Sequence, residues 1–242
     1  MTRRCRPGPA FAGAEPNPFE QVAHAGIAVA SADYRLSGEA RWPAPLHDVK
    51  AAVRWLRARA GELGLDGERI AAWGESAGGH LAALLGLTAG DPALEGGLGV
   101  TGPSSRVRGV VAWYAPSDLL AMAADTGTSP GDPGTREAGL LGAPPSDVAE
   151  LAAQASPLSH VSPAAPAFLL LHGAADRAVP CAQSQRLHDA LAEAGTDAEL
   201  TLYPGADHMW AGAPGAGPQA LRQTIGALRR WLLPQDPDGI AK

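Results

Sequence analysis

Cysteine is scarce in this sequence: Cys5 and Cys181 are the two cysteines among its 242 residues. They lie far apart in dissimilar settings, so a disulfide framework is not expected and reduced thiols are. Long apolar runs are missing too, since no segment approaches the ~20 residues that a membrane-spanning helix needs. The basic start is not followed by an apolar stretch of signal-peptide length. These absences predict a cytoplasmic protein that does not insert into a membrane.

The sequence also lacks any block of like charges. Its 19 basic and 25 acidic residues give a formal net charge of −6. A mildly acidic chain without a basic cluster argues against nucleic acid and anionic membranes as the main partners, and it favours small neutral molecules. No pattern in the sequence indicates an oligomeric state.

The apolar segments of the chain predict an α/β fold. Five of them predict strands, at residues 26–34, 69–73, 108–114, 167–172 and 198–203. Segments with apolar residues at every third or fourth position lie between them and predict helices. This alternation is typical of a mostly parallel sheet flanked by helices, with the chemistry at the carboxyl ends of the strands.

The remaining segments set the expected domain organisation. Residues 1–16 are rich in proline and show no periodicity, so we expect an irregular segment there, followed by one domain over residues 17–242. Residues 116–165 are rich in proline, glycine, serine and aspartate around short helical pieces. An excursion of this length inside a compact domain more often forms a cap or a pocket wall than an idle loop.

Ser76 is the first candidate catalytic residue. It lies in the sequence GESAGG at residues 74–79, directly after a predicted strand and directly before a predicted helix. A serine on such a sharp turn needs neighbours without bulk, which Gly74 and Gly78 supply. The free N–H groups of the following helix point at the same place, where an anion could be held. This context predicts that Ser76 is a nucleophile, with Glu75 and Gly79 as the other residues of its turn.

The surrounding elements decide the value of this motif, because the chain matches G-x-S-x-G twice. Residues 127–131 also fit the pattern, around Ser129. They have no predicted strand before them and no periodic helix after them, so they are interpreted as a loop.

Two polar residues follow other predicted strands. Asp176 comes after the strand that ends at His172, and His208 comes after the strand that ends at Tyr203. The carboxyl ends of parallel strands meet at one edge of a sheet, so both residues are expected near Ser76. A serine hydroxyl needs an imidazole to take its proton, and the imidazole needs a carboxylate to orient it. We predict that Ser76 is the nucleophile, His208 the base and Asp176 the orienting acid.

Other residues compete for these roles. The rival acids are Asp118, which follows a predicted strand, and Asp207, which adjoins His208. We expect His80, one helical turn after Ser76, to pack beside the turn, and we expect His172 to shape the edge of the sheet. The remaining candidates have structural or undecided roles: Glu75 as a supporting carboxylate, His47 and Asp48 at a helix start, Trp210 as a pocket or packing residue, and Cys181 as a small buried side chain.

Four segments together resemble the α/β-hydrolases of the hormone-sensitive-lipase and feruloyl-esterase-like branch. They are DYRL at residues 33–36, GESAGG at 74–79, LHGAADRAVP at 171–180 and YPGADH at 203–208. The order of serine, aspartate and histidine along the chain is also that of α/β-hydrolases. The resemblance implies an α/β-hydrolase fold. It favours Asp176 over the rival acids because its loop resembles the acid loop of the family.

The resemblance implies hydrolysis of carboxylic esters through an acyl-enzyme on Ser76, with a small ester as substrate and with no metal or organic cofactor. Two alternatives stay open. A peptidase of the prolyl-oligopeptidase type shares the fold and the order of the three residues, although residues 74–79 look more like those of an esterase. A truncated hydrolase that is inactive, or that is retained for binding, is the other.

The resemblance also implies features that the sequence does not show. Members of this branch carry a His-Gly-Gly loop upstream, whose N–H groups form the oxyanion hole together with the N–H after the nucleophile. In this sequence the N–H after the nucleophile is that of Ala77. Residues 1–16 contain neither the His-Gly-Gly loop nor the strand before it. We therefore expect an N-terminally truncated sheet of about five strands, and no second donor is identified.

Overall fold

The computed structural model describes residues 17–234 and contains one four-stranded parallel sheet. The strands lie side by side in chain order: β1 at Ala72–Glu75, β2 at Gly109–Trp113, β3 at Ala167–Gly173 and β4 at Ala198–Tyr203. All three pairings are parallel, so the carboxyl ends of the strands share one edge of the sheet. Four of the five predicted strands are confirmed, with boundaries that shift by a few residues.

Helices cover both faces of the sheet. The helices of the described residues are α1 at Pro18–His24, α2 at Ala44–Ala58, α3 at Ala60–Leu63, α4 at Ala77–Leu87, α5 at Met122–Thr126, α6 at Arg136–Leu141, α7 at Ala149–Gln154, α8 at Ala182–Glu193 and α9 at Ala216–Leu232. Short 3₁₀ turns lie at Pro145–Val148, Pro157–His160 and His208–Trp210. Among the helices described for residues 17–234, none has both the length and the apolar character that crossing a membrane requires.

The two central strands divide the hydrophobic core into two layers. On one face of the sheet, Val111 and Leu169 pack in a cluster with Leu228 of α9. On the other face, Val110 and Phe168 pack in a cluster that includes side chains of α4 and α8. Because helices cover both faces, β2 and β3 appear in the sequence as continuous apolar runs rather than as alternating ones.

Residues 26–34 do not form the strand that their apolar sequence predicts. They have no regular secondary structure, and β1 is one of the two edge strands of the sheet among the residues described. Most of the segment is exposed, including Val29 with 40% of its surface accessible. An apolar run becomes a strand only where a neighbouring strand completes its backbone hydrogen bonds. Here a cavity lies between the segment and β1, so no ladder forms and the prediction is wrong.

The cavity beside β1 has a volume of about 1170 Å³. Its walls include the 26–34 segment, β1, α2, α3 and the end of α9. Several large apolar side chains that line it are also exposed to solvent: Val29, Trp55, Leu63 and Leu65. The cavity reaches the turn after β1, where it is lined by Gly74, Glu75 and Gly78.

The long excursion after β2 consists of α5, α6, α7 and two of the 3₁₀ turns. Its start is held by Gln183 of α8, which is completely buried. The Oε1 of Gln183 accepts the N–H groups of Ser117 and Asp118, each at 2.7 Å. Its Nε2 donates to Oδ2 of Asp125 at 2.7 Å. These bonds fix the first residues of the excursion next to the carboxyl end of β2.

Gly86 tests how closely α4 packs on the sheet. A Cβ at this position would lie 2.5 Å from Cγ2 of Val110 and 3.3 Å from Cγ of Pro166. We expect Gly86→Ala to lower the free energy of unfolding by about 1–3 kcal/mol, because overpacking outweighs the gain in helix propensity. Urea denaturation followed by circular dichroism measures this change.

Gly226→Ala on α9 is the matched control. A Cβ there would have only Arg230 Nη1 within 4 Å, at 3.9 Å, which is an ordinary contact. This variant should raise the free energy of unfolding by up to ~1 kcal/mol through helix propensity alone. Equal changes in stability at the two positions would contradict the packing argument.

Candidate active site

Ser76 occupies the turn between β1 and α4 in a strained backbone conformation. Its φ is 51° and its ψ is −121°, a region that residues with a side chain rarely adopt. Its N–H donates to the carbonyl oxygen of Trp113 at 2.9 Å, which ties the turn to the end of β2. Strain of this kind persists only where the surrounding structure enforces it, and it is frequent at catalytic residues.

Two glycines, Gly74 and Gly79, allow this turn to form, whereas the sequence analysis predicted Gly74 and Gly78. A Cβ at Gly74 would lie 2.2 Å from the carbonyl oxygen of Gly78, and a Cβ at Gly79 would lie 2.9 Å from Cβ of Ala115. A Cβ at Gly78 would meet no atom within 4 Å. The steric requirement therefore falls on Gly74 and Gly79, while Gly78 contributes its backbone to the close approach.

The structure brings Ser76, His208 and Asp176 together at the carboxyl edge of the sheet. The Oγ of Ser76 lies 3.1 Å from Nε2 of His208, and Nδ1 of His208 lies 2.7 Å from Oδ2 of Asp176. The three residues follow β1, β4 and β3 respectively. With its proton on Nδ1, the imidazole donates to the carboxylate and can accept the serine proton on Nε2.

Asp176 is held as a carboxylate by its surroundings. Its side chain is completely buried, and burial alone would raise its pKa. Hydrogen bonds from His172, His208 and the N–H of Val179 outweigh burial and hold the pKa of Asp176 well below its usual range. Its Oδ1 accepts the N–H groups of Ala178 at 2.9 Å and Val179 at 2.8 Å. Asp176 is therefore ionised at neutral pH and fixed in orientation.

The N-terminus of α4 lies directly after Ser76. Ala77 is the first residue of this helix, and the first N–H groups of a helix have no acceptor within it. Negative charge that develops beside Ser76 would meet these N–H groups and the positive end of the helix dipole. The chain contains no His-Gly-Gly sequence, so a second donor is not assigned within residues 17–234.

The two rival histidines have structural contacts. The Nε2 of His80 lies 2.7 Å from the carbonyl oxygen of Ala155, which joins α4 to the end of the excursion. His172 is completely buried, with Nδ1 2.6 Å from Oγ of Ser184 and Nε2 2.7 Å from the carbonyl oxygen of Val179. The same Nε2 lies 3.4 Å from Oδ2 of Asp176, so His172 supports the acid loop.

The rival acids accept backbone N–H groups: Asp118 from its own loop, and Asp207 from its own loop and from the loop after β3. Oδ1 of Asp118 accepts the N–H of Leu120 at 3.1 Å. Oδ1 of Asp207 accepts the N–H of His208 at 2.8 Å and the N–H of Arg177 at 2.9 Å. None of these contacts is with an imidazole nitrogen of His208, whereas Oδ2 of Asp176 lies 2.7 Å from Nδ1 of His208.

The other sequence candidates are accounted for in varied ways. His47 and Asp48 lie near the start of α2, and Asp48 is paired with Arg35 at 2.8 Å. Trp210 is 5% exposed and packs in the core cluster, so it is a packing residue. Cys181 is partly exposed rather than buried. The segment at 1–16, with Cys5, lies outside the described residues.

Tyr114 is a residue of the site that the sequence analysis did not identify. It follows β2, its φ is 38°, and its ring centroid lies 4.8 Å from that of His208. Its hydroxyl donates a hydrogen bond to Oε2 of Glu75. Its position at the end of a predicted strand, two residues before Pro116, was a weak signal in the sequence. The positive φ that brings its ring to His208 cannot be read from the residue type.

The parallel sheet, the helices on both faces and the serine on the turn after β1 define an α/β-hydrolase fold. The chain belongs to the BD-FAE family, whose model matches residues 10–191. Among curated proteins it is similar to Esterase LipQ of Mycobacterium tuberculosis, with 35% identity over 182 residues, which are 74% of this chain and 42% of LipQ. It is also similar to Esterase LipC of the same organism, with 34% identity over 191 residues, which are 78% of this chain and 47% of LipC.

The chain thus spans less than half the length of these two curated relatives.

Solved structures of comparable size are similar as well. A truncated form of a carbohydrate esterase from gut microbiota has a TM-score of 0.80 and 33% identity, covering 90% of this chain and 78% of that one. Propionate-bound esterase 2 of Thermogutta terrifontis has a TM-score of 0.66 and 28% identity, covering 84% and 72%.

His80 makes the stability of the fold depend on pH. Burial lowers the pKa of His80 to about 4 from 6.5, so the fold holds the neutral ring. Between these values the unfolded chain binds a proton that the folded chain does not, so this contribution is complete above pH 6.5 and is lost as pH falls to about 4. We expect the free energy of unfolding to fall over this window, and to fall less steeply in His80→Gln. Urea denaturation across the window measures both slopes.

His24→Gln is the matched control, because His24 is exposed at the end of α1. Its slope should equal that of the unsubstituted protein. An unchanged slope in His80→Gln would show that His80 is not the group responsible.

Proposed function

We propose that this chain is a carboxylesterase that forms an acyl-enzyme on Ser76. The observation that carries the proposal is the continuous contact from Oγ of Ser76 through the imidazole of His208 to the buried carboxylate of Asp176, at 3.1 Å and 2.7 Å. Family membership and the similarity to proteins named as esterases support the same reaction class. The fold alone would not support this reaction class, since one fold hosts many activities.

In the proposed acylation, Oγ of Ser76 attacks the ester carbonyl carbon while Nε2 of His208 takes the hydroxyl proton. The carbonyl oxygen becomes an oxyanion, which the N–H of Ala77 and the α4 dipole stabilise. The imidazolium formed on His208 is stabilised by the carboxylate of Asp176. When the intermediate collapses, the bond to the alcohol oxygen breaks, and His208 returns its proton to that oxygen.

Deacylation repeats these roles with water as the nucleophile. His208 takes a proton from water, which attacks the acyl carbon, and then returns the proton to Oγ of Ser76. The carboxylic acid leaves and the serine is restored. Every proton in the cycle is carried by His208, so the reaction needs no metal or organic cofactor.

We assign the excursion at residues 116–165 as the wall of the substrate pocket. A cavity of about 320 Å³ is lined by Leu119 and Met122 of the excursion and by Arg177. Arg177 and Ala178 directly follow Asp176 in the chain, so this cavity adjoins the loop that carries the proposed acid.

Ser76→Ala tests the nucleophile. We expect it to lower kcat for 4-nitrophenyl acetate by on the order of 10⁴ or more, because the acyl-enzyme can no longer form. The matched control is Ser104→Ala, which makes the same change in an exposed loop before β2, at the amino end of the sheet. That variant should keep the activity of the unsubstituted protein. Initial rates from nitrophenolate release provide the measurement.

A labelling experiment separates an active site from a binding-only one. A fluorophosphonate should label the protein stoichiometrically at Ser76, and Ser76→Ala should abolish the label. Absence of labelling in the folded protein would favour an inactive hydrolase. A dipeptide amide assayed beside the aryl acetate distinguishes the peptidase alternative, since an esterase should cleave the acetate far faster.

Asp176→Asn tests the orienting acid. We expect kcat to fall by about 10³–10⁴, because the amide can orient the wrong imidazole tautomer and cannot stabilise the imidazolium. Asp189→Asn on the exposed face of α8 is a control for the same chemical change, and it should be neutral. Equal activity of the two variants would exclude Asp176 from the proposed role.

A further inference from the structure

Backbone strain in this molecule is concentrated at the candidate site. Within residues 17–234, four non-glycine residues have a positive φ: Ser76, Tyr114, Met209 and Trp210. Ser76 is the proposed nucleophile, and Met209 and Trp210 directly follow His208. Tyr114 is the remaining one, at φ 38°, and a bulky side chain in this region is unusual. Such strain is maintained where the surrounding structure enforces it, often at functional positions.

The strained backbone of Tyr114 places its ring against the proposed base. The ring centroid lies 4.8 Å from that of His208, with an angle of 63° between the planes. Its other close ring neighbour is Trp210, at 4.9 Å and 74°. Tyr114 is 1% exposed, so the ring is a fixed part of the wall around the imidazole.

The hydroxyl of Tyr114 anchors the ring from the other end. It donates to Oε2 of Glu75, the residue directly before Ser76. Burial, and then the charge of Glu75, raises the pKa of Tyr114, so the phenol keeps its proton and remains the donor. The N–H of Tyr114 donates to the carbonyl oxygen of Leu171 at 2.8 Å, which holds the backbone to β3. The ring is therefore fixed both to the serine turn and to the sheet.

His208 depends on such support because it lies on a short turn. His208–Trp210 is a 3₁₀ turn of three residues after β4, and its φ/ψ values are irregular at Met209. The imidazole must keep Nε2 next to Oγ of Ser76 while Nδ1 stays next to Asp176. A small displacement of the imidazole from this position would lower the reaction rate considerably.

We propose that Tyr114, anchored by Glu75, is a positioning residue that holds the imidazole of His208 between Ser76 and Asp176. The role rests on the proposed esterase function, since it concerns the same base. It predicts an effect on the chemical step rather than on substrate binding.

Tyr114→Leu removes the ring and the hydroxyl. We expect kcat for 4-nitrophenyl acetate to fall by about 10–100-fold with KM nearly unchanged, because the base is misplaced while the pocket is not. Tyr114→Phe keeps the ring and loses only the anchor to Glu75, so its kcat should lie between those of Tyr114→Leu and the unsubstituted protein. A purely structural role would not produce this graded change in kcat at constant KM. Circular dichroism and thermal unfolding establish that each variant is folded.

Tyr203→Leu is the matched control. Tyr203 is also buried, and its ring also packs on Trp210, at 5.1 Å, rather than on His208. We expect this variant to lose thermal stability and to keep its kcat. A similar loss of kcat in Tyr203→Leu would mean that any aromatic loss around Trp210 disturbs the site, and it would overturn the specific role of Tyr114.

Other outcomes distinguish this inference from the function on which it rests. If the unsubstituted protein hydrolyses the ester and Tyr114→Leu keeps the same kcat, the positioning role is wrong and the esterase function stands. If Tyr114→Leu does not fold, an unchanged kcat in Tyr114→Phe overturns the anchoring by Glu75 in the same way. If the unsubstituted protein neither hydrolyses the ester nor labels with a fluorophosphonate, both proposals fail.

Discussion

The close packing of α4 against the sheet is the constraint on which the rest of this molecule depends. Cβ atoms at Gly74, Gly79 and Gly86 would all lie within 3 Å of neighbouring atoms, so the helix can approach β1 and β2 only because these residues are glycines. The approach bends the chain sharply at Ser76 and gives that residue its positive φ. The same approach puts the N-terminus of α4 beside the serine hydroxyl. The position of the proposed nucleophile, its backbone strain and the dipole of α4 beside it therefore share one steric cause.

The parallel register of the sheet brings the other two residues of the proposed triad to this helix terminus. Asp176 and His208 follow β3 and β4, and the alignment of these strands with β1 and β2 places both loops on one edge. Asp176 stays ionised although it is buried, because backbone N–H groups and two histidines donate to it. The buried carboxylate in turn fixes the imidazole. Distant parts of the chain thus build one site.

The proximity of Ser76, Asp176 and His208 could be predicted from the sequence because strand ends and loop motifs are local signals. Asp176 follows β3, which is buried and appears in the sequence as a continuous apolar run. Ser76 and His208 follow β1 and β4, which are only partly buried, so the motifs next to these strands marked their positions. The 26–34 segment carries the same signal and yet is no strand, since an apolar run does not specify its hydrogen-bond neighbour. Tyr114 could not be predicted in its role, because its contact with His208 follows from a backbone conformation that residue type alone disfavours.

Glu75 connects the two parts of the structure that the sequence described least well. It lines the large cavity beside β1, and its carboxylate accepts the hydroxyl of Tyr114, whose ring contacts the proposed base. Burial, and then the charge of Glu75, raises the pKa of Tyr34, which lines the same cavity. Electrostatic interactions strengthen as water is displaced from around them. The solvation of Glu75 is therefore coupled to its hydrogen bond with Tyr114 and, through the Tyr114 ring, to His208, so β1 and the proposed catalytic residues are not independent.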